Sequence, residues 1–237
     1  MSSSSVQENR IKEGRFAKNV YLLEYRYSGY PKSYILDIYS ELQRAYRIHH
    51  PNYHYVPHLS VAGPIETNNE KDLVDEIRRI IHGDTHHFNV PGNLIQTGKL
   101  IKFETEDGGQ VLGIEVKPPR PLIELKKKIE LDLGKKFSLK IYKKEIWHTT
   151  IWNMKSNYFS NKEKFLSVWH SLENNPQEMK FILDRITLIK NGKILEEYDL
   201  FHKEVLTRIE SLNNSRRYDT YLKMKAHLQS QGESFKF

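Results

Sequence analysis

The order of the predicted strands and helices constrains the fold of this chain most. A β-rich run, VYLLEYR (20–26), precedes a helix that begins at Pro31 and places Ile35, Ile38 and Leu42 at helical spacing. The short apolar strand VPHLSVAG and a second helix follow. Helix, strand, helix and hairpin then recur in the second half. This order predicts a mixed α+β fold whose second half loosely echoes the first.

The remaining elements follow from turn signals and apolar periodicity. We expect a helix over 67–83 with Asn69 as a possible cap. The other predicted elements are strands at 88–97 and 101–105, a turn at Asp107-Gly108-Gly109, the strand VLGIEV, a helix over 118–137, a β-rich run at 146–153, a helix over 160–172, and strands at 181–190 and 193–201. Asn191-Gly192, which joins the last two, is the strongest two-residue hairpin signal.

The composition limits the cellular compartment that we expect for the chain and the kinds of chemistry that it can carry out. The chain has 237 residues, 37 Lys+Arg against 30 Asp+Glu, and a formal net charge of +7. This excess suits an anionic partner such as RNA or nucleotide, although many soluble proteins are mildly basic. The absence of cysteine excludes disulfides, thiolate catalysis and cysteine-based zinc sites. With no apolar run of bilayer length and no secretory signal at the polar N-terminus, we expect a soluble cytoplasmic protein that contacts no membrane.

A histidine-rich stretch, IHHPNYHYVPHLSVAG (48–63), raises the question of a metal site. Its histidines stand at positions 49, 50, 54 and 58, and the last three are four residues apart. On one helix they would share a face and could share a metal ion. Pro51 and Pro57 oppose a continuous helix, since each removes a backbone donor and disfavours helix at the preceding residue. We therefore expect a proline-bounded loop followed by a strand, and no metal.

One member of that cluster recurs with its neighbours in the second half of the chain. HLSV (58–61) and HTTI (148–151) are the same phrase: histidine, any residue, a hydroxyl residue, an aliphatic residue. Because side chains alternate on a strand, each histidine and the hydroxyl two residues later share one face. If the two strands are neighbours, two imidazoles and two hydroxyls converge on one cleft.

Such a set suits phosphodiester chemistry. A neutral imidazole can take a proton from water or a ribose hydroxyl, and a protonated one can give a proton to the leaving oxygen. The hydroxyls can donate hydrogen bonds to the non-bridging phosphate oxygens as negative charge builds up there. No metal is required for either role.

The two motifs resemble those of the two-histidine (2H) phosphoesterase superfamily, also called LigT-like or 2′-5′ RNA ligase-like, whose signature is two His-x-Thr/Ser-x motifs. The resemblance spans about residues 18–201. It implies a bilobal LigT-like fold, with two similar antiparallel-sheet-plus-helix lobes around a central cleft. It also implies a 2′,3′-cyclic phosphodiesterase or a related RNA-end-processing enzyme that needs no cofactor or metal. By motif position, His58 and His148 are the catalytic acid and base, and Ser60 and Thr150 hold the phosphate.

Three aromatic residues near the motifs are candidates for stacking on a nucleobase. Trp152 lies two residues past Thr150, so strand alternation would place it on the cleft side, although it could equally pack the rim. Tyr53 and Tyr55 precede the first motif and could form a wall for a base, although loop aromatics are common. A second histidine group, at positions 82, 86 and 87, is broken by Gly83-Asp84, which disfavours a metal site.

The sequence therefore predicts a polar tail at 1–17, a two-lobed enzyme domain at 18–201 and a charged, helical extension at 202–237. The predicted activity is hydrolysis of a 2′,3′-cyclic phosphate on an RNA end or nucleotide. A 2′-5′ RNA ligase, a 3′ exonuclease or 2′,5′-phosphodiesterase, and a non-catalytic RNA-binding module remain open. In the extension, Arg216, Arg217 and several lysines could form an RNA-contacting or oligomerising arm, and the alternative is a solvated helix packed on the body.

Overall fold

The structure, a computed structural model, describes residues 19–48, 56–83, 94–105, 108–141, 146–154, 158–173 and 178–230. The strands are β1 (Asn19–Arg26), β2 (His58–Thr67), β3 (Leu94–Glu104), β4 (Gln110–Lys117), β5 (Ser138–Leu139), β6 (His148–Met154), β7 (Lys180–Ile182), β8 (Arg185–Lys190), β9 (Lys193–Asp199) and β10 (Glu204–Thr207). The helices are α1 (Gly29–Tyr46), α2 (Glu70–Arg78, continued by a π turn over Arg79–Gly83), α3 (Arg120–Gly134), α4 (Tyr158–Leu172), α5 (Arg208–Ser211) and α6 (Asn214–Ser230). None of these helices is long and apolar enough to span a membrane.

The described strands form two antiparallel sheets. The first has the order β10-β9-β8-β1-β2-β5, and the second has the order β6-β4-β3-β7. The first motif opens β2 and the second opens β6, so each sheet carries one motif. Since β2 and β6 contact each other, the sheets meet where the motifs lie. This confirms the expected bilobal α+β fold with one motif in each lobe.

The lobes are not the two halves of the chain, however. The C-terminal strand β8 pairs with the N-terminal strand β1, with Leu23 opposite Leu188. The second sheet likewise combines β3 and β4 with β6 and β7. Pairing between distant strands buries the central β1, whose Leu23 and Tyr25 are nearly inaccessible to solvent. The first lobe is therefore built from both ends of the chain, whereas the strands of the second come from its middle, between Leu94 and Ile182.

Helices cover one face of each sheet. α3 packs against α2 and contacts β2, and these two helices bury one apolar stripe: Leu73, Ile77, Leu122, Leu125, Ile129 and Leu133. The cap of α2 is as predicted, since the Asn69 side chain accepts a hydrogen bond from the Asp72 amide. On the second sheet, α1 contacts both β6 and α4. The motifs lie on the opposite faces of the sheets, and on the first sheet that opposite face also carries α6.

The predicted turn at Asn191-Gly192 agrees with the structure, whereas the bounds predicted for three strands do not. The hairpin at Asn191-Gly192 is confirmed, and both residues have the positive φ that its turn requires. The two strands predicted at 88–97 and 101–105 were wrong in the described part, because β3 runs unbroken from Leu94 with a register shift near Lys99. The single strand predicted at 181–190 is also wrong. Its first residues form β7 in the second sheet, and the rest form β8 in the first.

Candidate active site

The first motif lies on β2 beside β1. His58 is opposite Arg26 and Ser60 is opposite Glu24, and directly paired residues share a face of the sheet. The intervening Leu59 is buried on the other face. One face of the first sheet therefore carries the histidine, the serine hydroxyl and an acid–base pair from the neighbouring strand.

The second motif repeats this arrangement on β6. His148 is opposite Glu115 and Thr150 is opposite Gly113 on β4, while Thr149 is fully buried. Gly113 is needed for close packing, because an added Cβ would lie 3.0 Å from the Thr149 carbonyl oxygen and 3.3 Å from Cδ2 of His148. The strand pairing thus sets the position of the imidazole.

Both histidines are held by the same backbone contact. Nδ1 of His58 is 3.1 Å from the Val56 carbonyl oxygen, and Nδ1 of His148 is 2.7 Å from the Ile146 carbonyl oxygen. A carbonyl oxygen only accepts, so in each ring Nδ1 carries the hydrogen. In the neutral form Nε2 then keeps its lone pair and is the atom available for proton transfer. Each histidine is the first residue of its strand, and the carbonyl oxygen that it contacts belongs to the residue two positions earlier in the chain.

The two histidines lie close enough to interact electrostatically. Burial is the main cause that lowers the pKa of His148, and the charge of His58 lowers it further, while the hydrogen bond to Ile146 opposes this. The Phe103 ring meets the His148 ring edge-on, with 4.8 Å between centroids. His148 is therefore held in an apolar setting that favours the neutral imidazole.

The surroundings of His58 are different, and they include a residue that the sequence analysis missed. A Glu24 carboxylate oxygen is 3.7 Å from Nε2 of His58, and the other is 2.7 Å from Nε of Arg26. The Glu24 side chain is only 6% exposed, so its charge is poorly screened. A single acidic residue inside the apolar run VYLLEYR was the available signal, because a charge in a central strand needs a partner.

Two tyrosine side chains, those of Tyr27 and Tyr39, form hydrogen bonds to the second motif. The Tyr27 hydroxyl shares a buried hydrogen bond with the Thr149 hydroxyl, and the Tyr27 amide donates to the Pro57 carbonyl oxygen. Tyr27 therefore connects the start of the first motif to the middle of the second. The Tyr39 hydroxyl of α1 donates to the Thr150 carbonyl oxygen at 2.8 Å. These bonds fix β6 relative to β2.

The sequence left Trp152 either on the cleft side or packed at the rim, and the strand register does not support the cleft side. A register shift between Leu112 and Gly113 inserts one extra residue in β6, so Thr150 pairs with Gly113 while Trp152 pairs with Leu112. Adjacent residues of β4 face opposite ways, and Trp152 therefore lies on the face opposite Thr150. Its ring packs against Phe165 of α4, 5.7 Å between centroids. Tyr53 and Tyr55 lie outside the described residues.

Comparison with known proteins returned likenesses at the level of structure. No protein-family model and no curated protein matches the chain. Kluyveromyces marxianus Usb1 is similar at 12% identity and a TM-score of 0.46, covering 81% of this chain and 99% of that one. The same protein with uridine monophosphate aligns at 13% identity and a TM-score of 0.42, covering 80% and 96%. A structure described as a phosphoesterase aligns at 10% identity and a TM-score of 0.44, covering 77% and 98%.

Proposed function

We propose that this chain is a 2H-type phosphodiesterase that opens a 2′,3′-cyclic phosphate on an RNA end or nucleotide, with no metal in the catalytic step. The observation that carries the proposal is the paired geometry of the two motifs. Two histidines with the same Nδ1-to-carbonyl contact begin two strands that adjoin, and a hydroxyl follows each on its own face. This supplies two proton-transfer groups and two hydrogen-bond donors for one phosphate.

The differing surroundings of the histidines support a division of roles. His148 is the general base, because burial favours its neutral form and leaves the Nε2 lone pair available. His58 is the general acid, because the Glu24 carboxylate at 3.7 Å from Nε2 attracts the imidazolium charge. The sequence alone left these roles open, since the two motifs are nearly equivalent.

The proposed reaction is hydrolysis of the cyclic phosphate by one water molecule. Nε2 of His148 takes a proton from water, and the water oxygen forms a bond to phosphorus. The bond from phosphorus to one ribose oxygen breaks, and Nε2 of His58 gives that oxygen its proton. The Ser60 and Thr150 hydroxyls donate to the non-bridging oxygens, where charge increases in the transition state. The product is a phosphate monoester, and solvent returns both imidazoles to their starting protonation states.

Hydrolysis of nucleoside 2′,3′-cyclic phosphates in EDTA tests the proposal. We expect the wild type to produce monoester, and His58→Ala and His148→Ala each to lose at least about 100-fold in kcat. His170→Ala is the matched control, since His170 is an exposed histidine on α4. Loss of activity in EDTA would refute the metal-free step. Absence of turnover with nucleotide binding retained would favour a binding module instead.

A further inference from the structure

The C-terminal helix α6 is fastened to the first sheet by a buried polar network. A guanidinium nitrogen of Arg185 donates to the Thr220 hydroxyl at 2.9 Å, and that hydroxyl is 2.7 Å from an Asp199 carboxylate oxygen. Arg185 also donates to the Ser211 carbonyl oxygen at 3.3 Å, just before α6 begins. Thr220 and Asp199 are 2% and 1% exposed, so these bonds are shielded from water. The helix is therefore part of the lobe rather than a loose appendage.

This network lies on the same sheet face as the first motif. Glu24 pairs with Ser60 on one side and with Thr187 on the other, and Thr187 pairs with Glu197. These directly paired residues form one row across four strands, and they share a face. Asp199 lies two residues beyond Glu197 on β9, so it is on that face too. β2 and β8 are two strand spacings apart, so the strand that α6 contacts through Arg185 is about 10 Å from β2 in the plane of the sheet.

The helix turns a defined flank toward that motif. Arg216 pairs at 2.8 Å with Glu204 on β10, the outermost strand. The next residue, Arg217, is about 100° further round the helix. Its Nε donates at 2.9 Å to the Ser211 carbonyl oxygen, which also accepts from Arg185 of β8. Burial raises the pKa of Glu197, while the charges of Arg185, Arg217 and Arg26 oppose this rise, so Arg217 and Arg26 act on one carboxylate.

The residues on this flank are basic and aromatic. Tyr221 and Lys225 follow Arg217 at intervals of four, and the Tyr221 ring stacks on Tyr218 with 6.1 Å between centroids. Tyr218 and Lys225 are exposed. Cations set beside aromatic rings match a single-stranded nucleic acid, whose backbone is anionic and whose bases stack.

We propose that Arg26 and the Arg217–Tyr221–Lys225 flank of α6 form a subsite for single-stranded RNA that continues from the reacting phosphodiester. Arg26 is opposite His58, so the charged path starts at the first motif and leads to α6. The cations bind backbone phosphates, and the tyrosine stacks on a base. The inference rests on the proposed function, because it assigns the neighbouring nucleotides of the same substrate.

The test compares a nucleoside 2′,3′-cyclic phosphate with an RNA of about ten nucleotides that ends in a cyclic phosphate. Lys225→Glu and Tyr221→Leu should raise KM for the oligonucleotide about tenfold more than for the mononucleotide. Lys225→Glu should also make the fall of log affinity with log salt shallower by about 0.7 or more. Thermal melting confirms that each variant is folded.

Lys127→Glu is the matched control. Lys127 is an exposed lysine on α3, which packs with α2. α2 contacts Glu196 through Arg78, whereas α6 contacts Asp199, so the two helices lie on opposite faces of the sheet. If Lys225→Glu affects the oligonucleotide no more than Lys127→Glu, the subsite is refuted. If the wild type turns over neither substrate, the proposed function fails, and oligonucleotide binding by fluorescence anisotropy still decides the subsite.

Discussion

Gly113→Ala tests how closely the strand pairing controls His148. The new Cβ would lie 3.0 Å from the Thr149 carbonyl oxygen and 3.3 Å from Cδ2 of His148, and both contacts are tighter than nine in ten real Cβ contacts. Relief requires a movement of a few tenths of an ångström. The carbonyl is part of a paired strand, and the ring is anchored by its 2.7 Å contact to Ile146, so neither can move freely. The substitution must therefore strain β6 or displace the imidazole.

Overpacking of this kind costs about 1–3 kcal/mol of the free energy of unfolding. For a chain of this size, that lowers Tm by about 3–10 °C. Because a misplacement of about 1 Å can cost a hundredfold in rate, a shift of a few tenths should lower kcat about tenfold. Calorimetry and initial rates on a cyclic mononucleotide measure the two effects.

Gly134→Ala provides the control, since an added Cβ at Gly134 has nothing within 4 Å. That variant should keep wild-type kcat and melt at the same or a slightly higher temperature, because alanine is favoured over glycine at a helical position. If Gly113→Ala matches the wild type in both Tm and kcat, contact with β4 does not position His148.

The proposed roles of the two histidines and the attachment of α6 to the first sheet can each be tested. Glu24→Gln should lower kcat about tenfold with little change in KM, because the imidazolium of the acid loses its carboxylate partner; an unchanged kcat in initial-rate assays would contradict this. Burial lowers the pKa of His148, so the base stays neutral to lower pH, and the acid limb of kcat/KM should lie below pH of about 6.5; a limb above that value would be evidence against His148 as the base. Thr220→Val should lower the free energy of unfolding by about 1–3 kcal/mol in denaturant titrations, because Arg185 and Asp199 lose a buried partner; wild-type stability would show that the network does not fasten α6.

Much of this fold and site could be predicted from short-range patterns. Asn191-Gly192 specified its hairpin because few residues accept positive φ at both positions. The alternation in HLSV and HTTI separated buried from motif-bearing positions, as the burial of Leu59 and Thr149 illustrates. These features depend on a residue and its immediate neighbours, which the sequence displays directly.

The missed features depend on pairing between distant segments. A bulge in β6 changed the face of Trp152, and only its pairing with β4 reveals that bulge. Glu24 reaches His58 because β1 and β2 are neighbours. The extension predicted from residue 202 begins with β10, which completes the first sheet before α6 folds back over it. Nothing local in these segments marks where they dock.

The central claim is that His58 and His148 act together on one phosphodiester, and a double-mutant cycle tests it most directly. Turnover of a nucleoside 2′,3′-cyclic phosphate is measured for His58→Ala, His148→Ala and the double variant. Groups that act as a unit give non-additive losses of turnover, so the double variant should be only a little slower than the slower of the two single variants. Wild-type turnover in either single variant, or two losses that simply multiply in the double variant, would contradict the account.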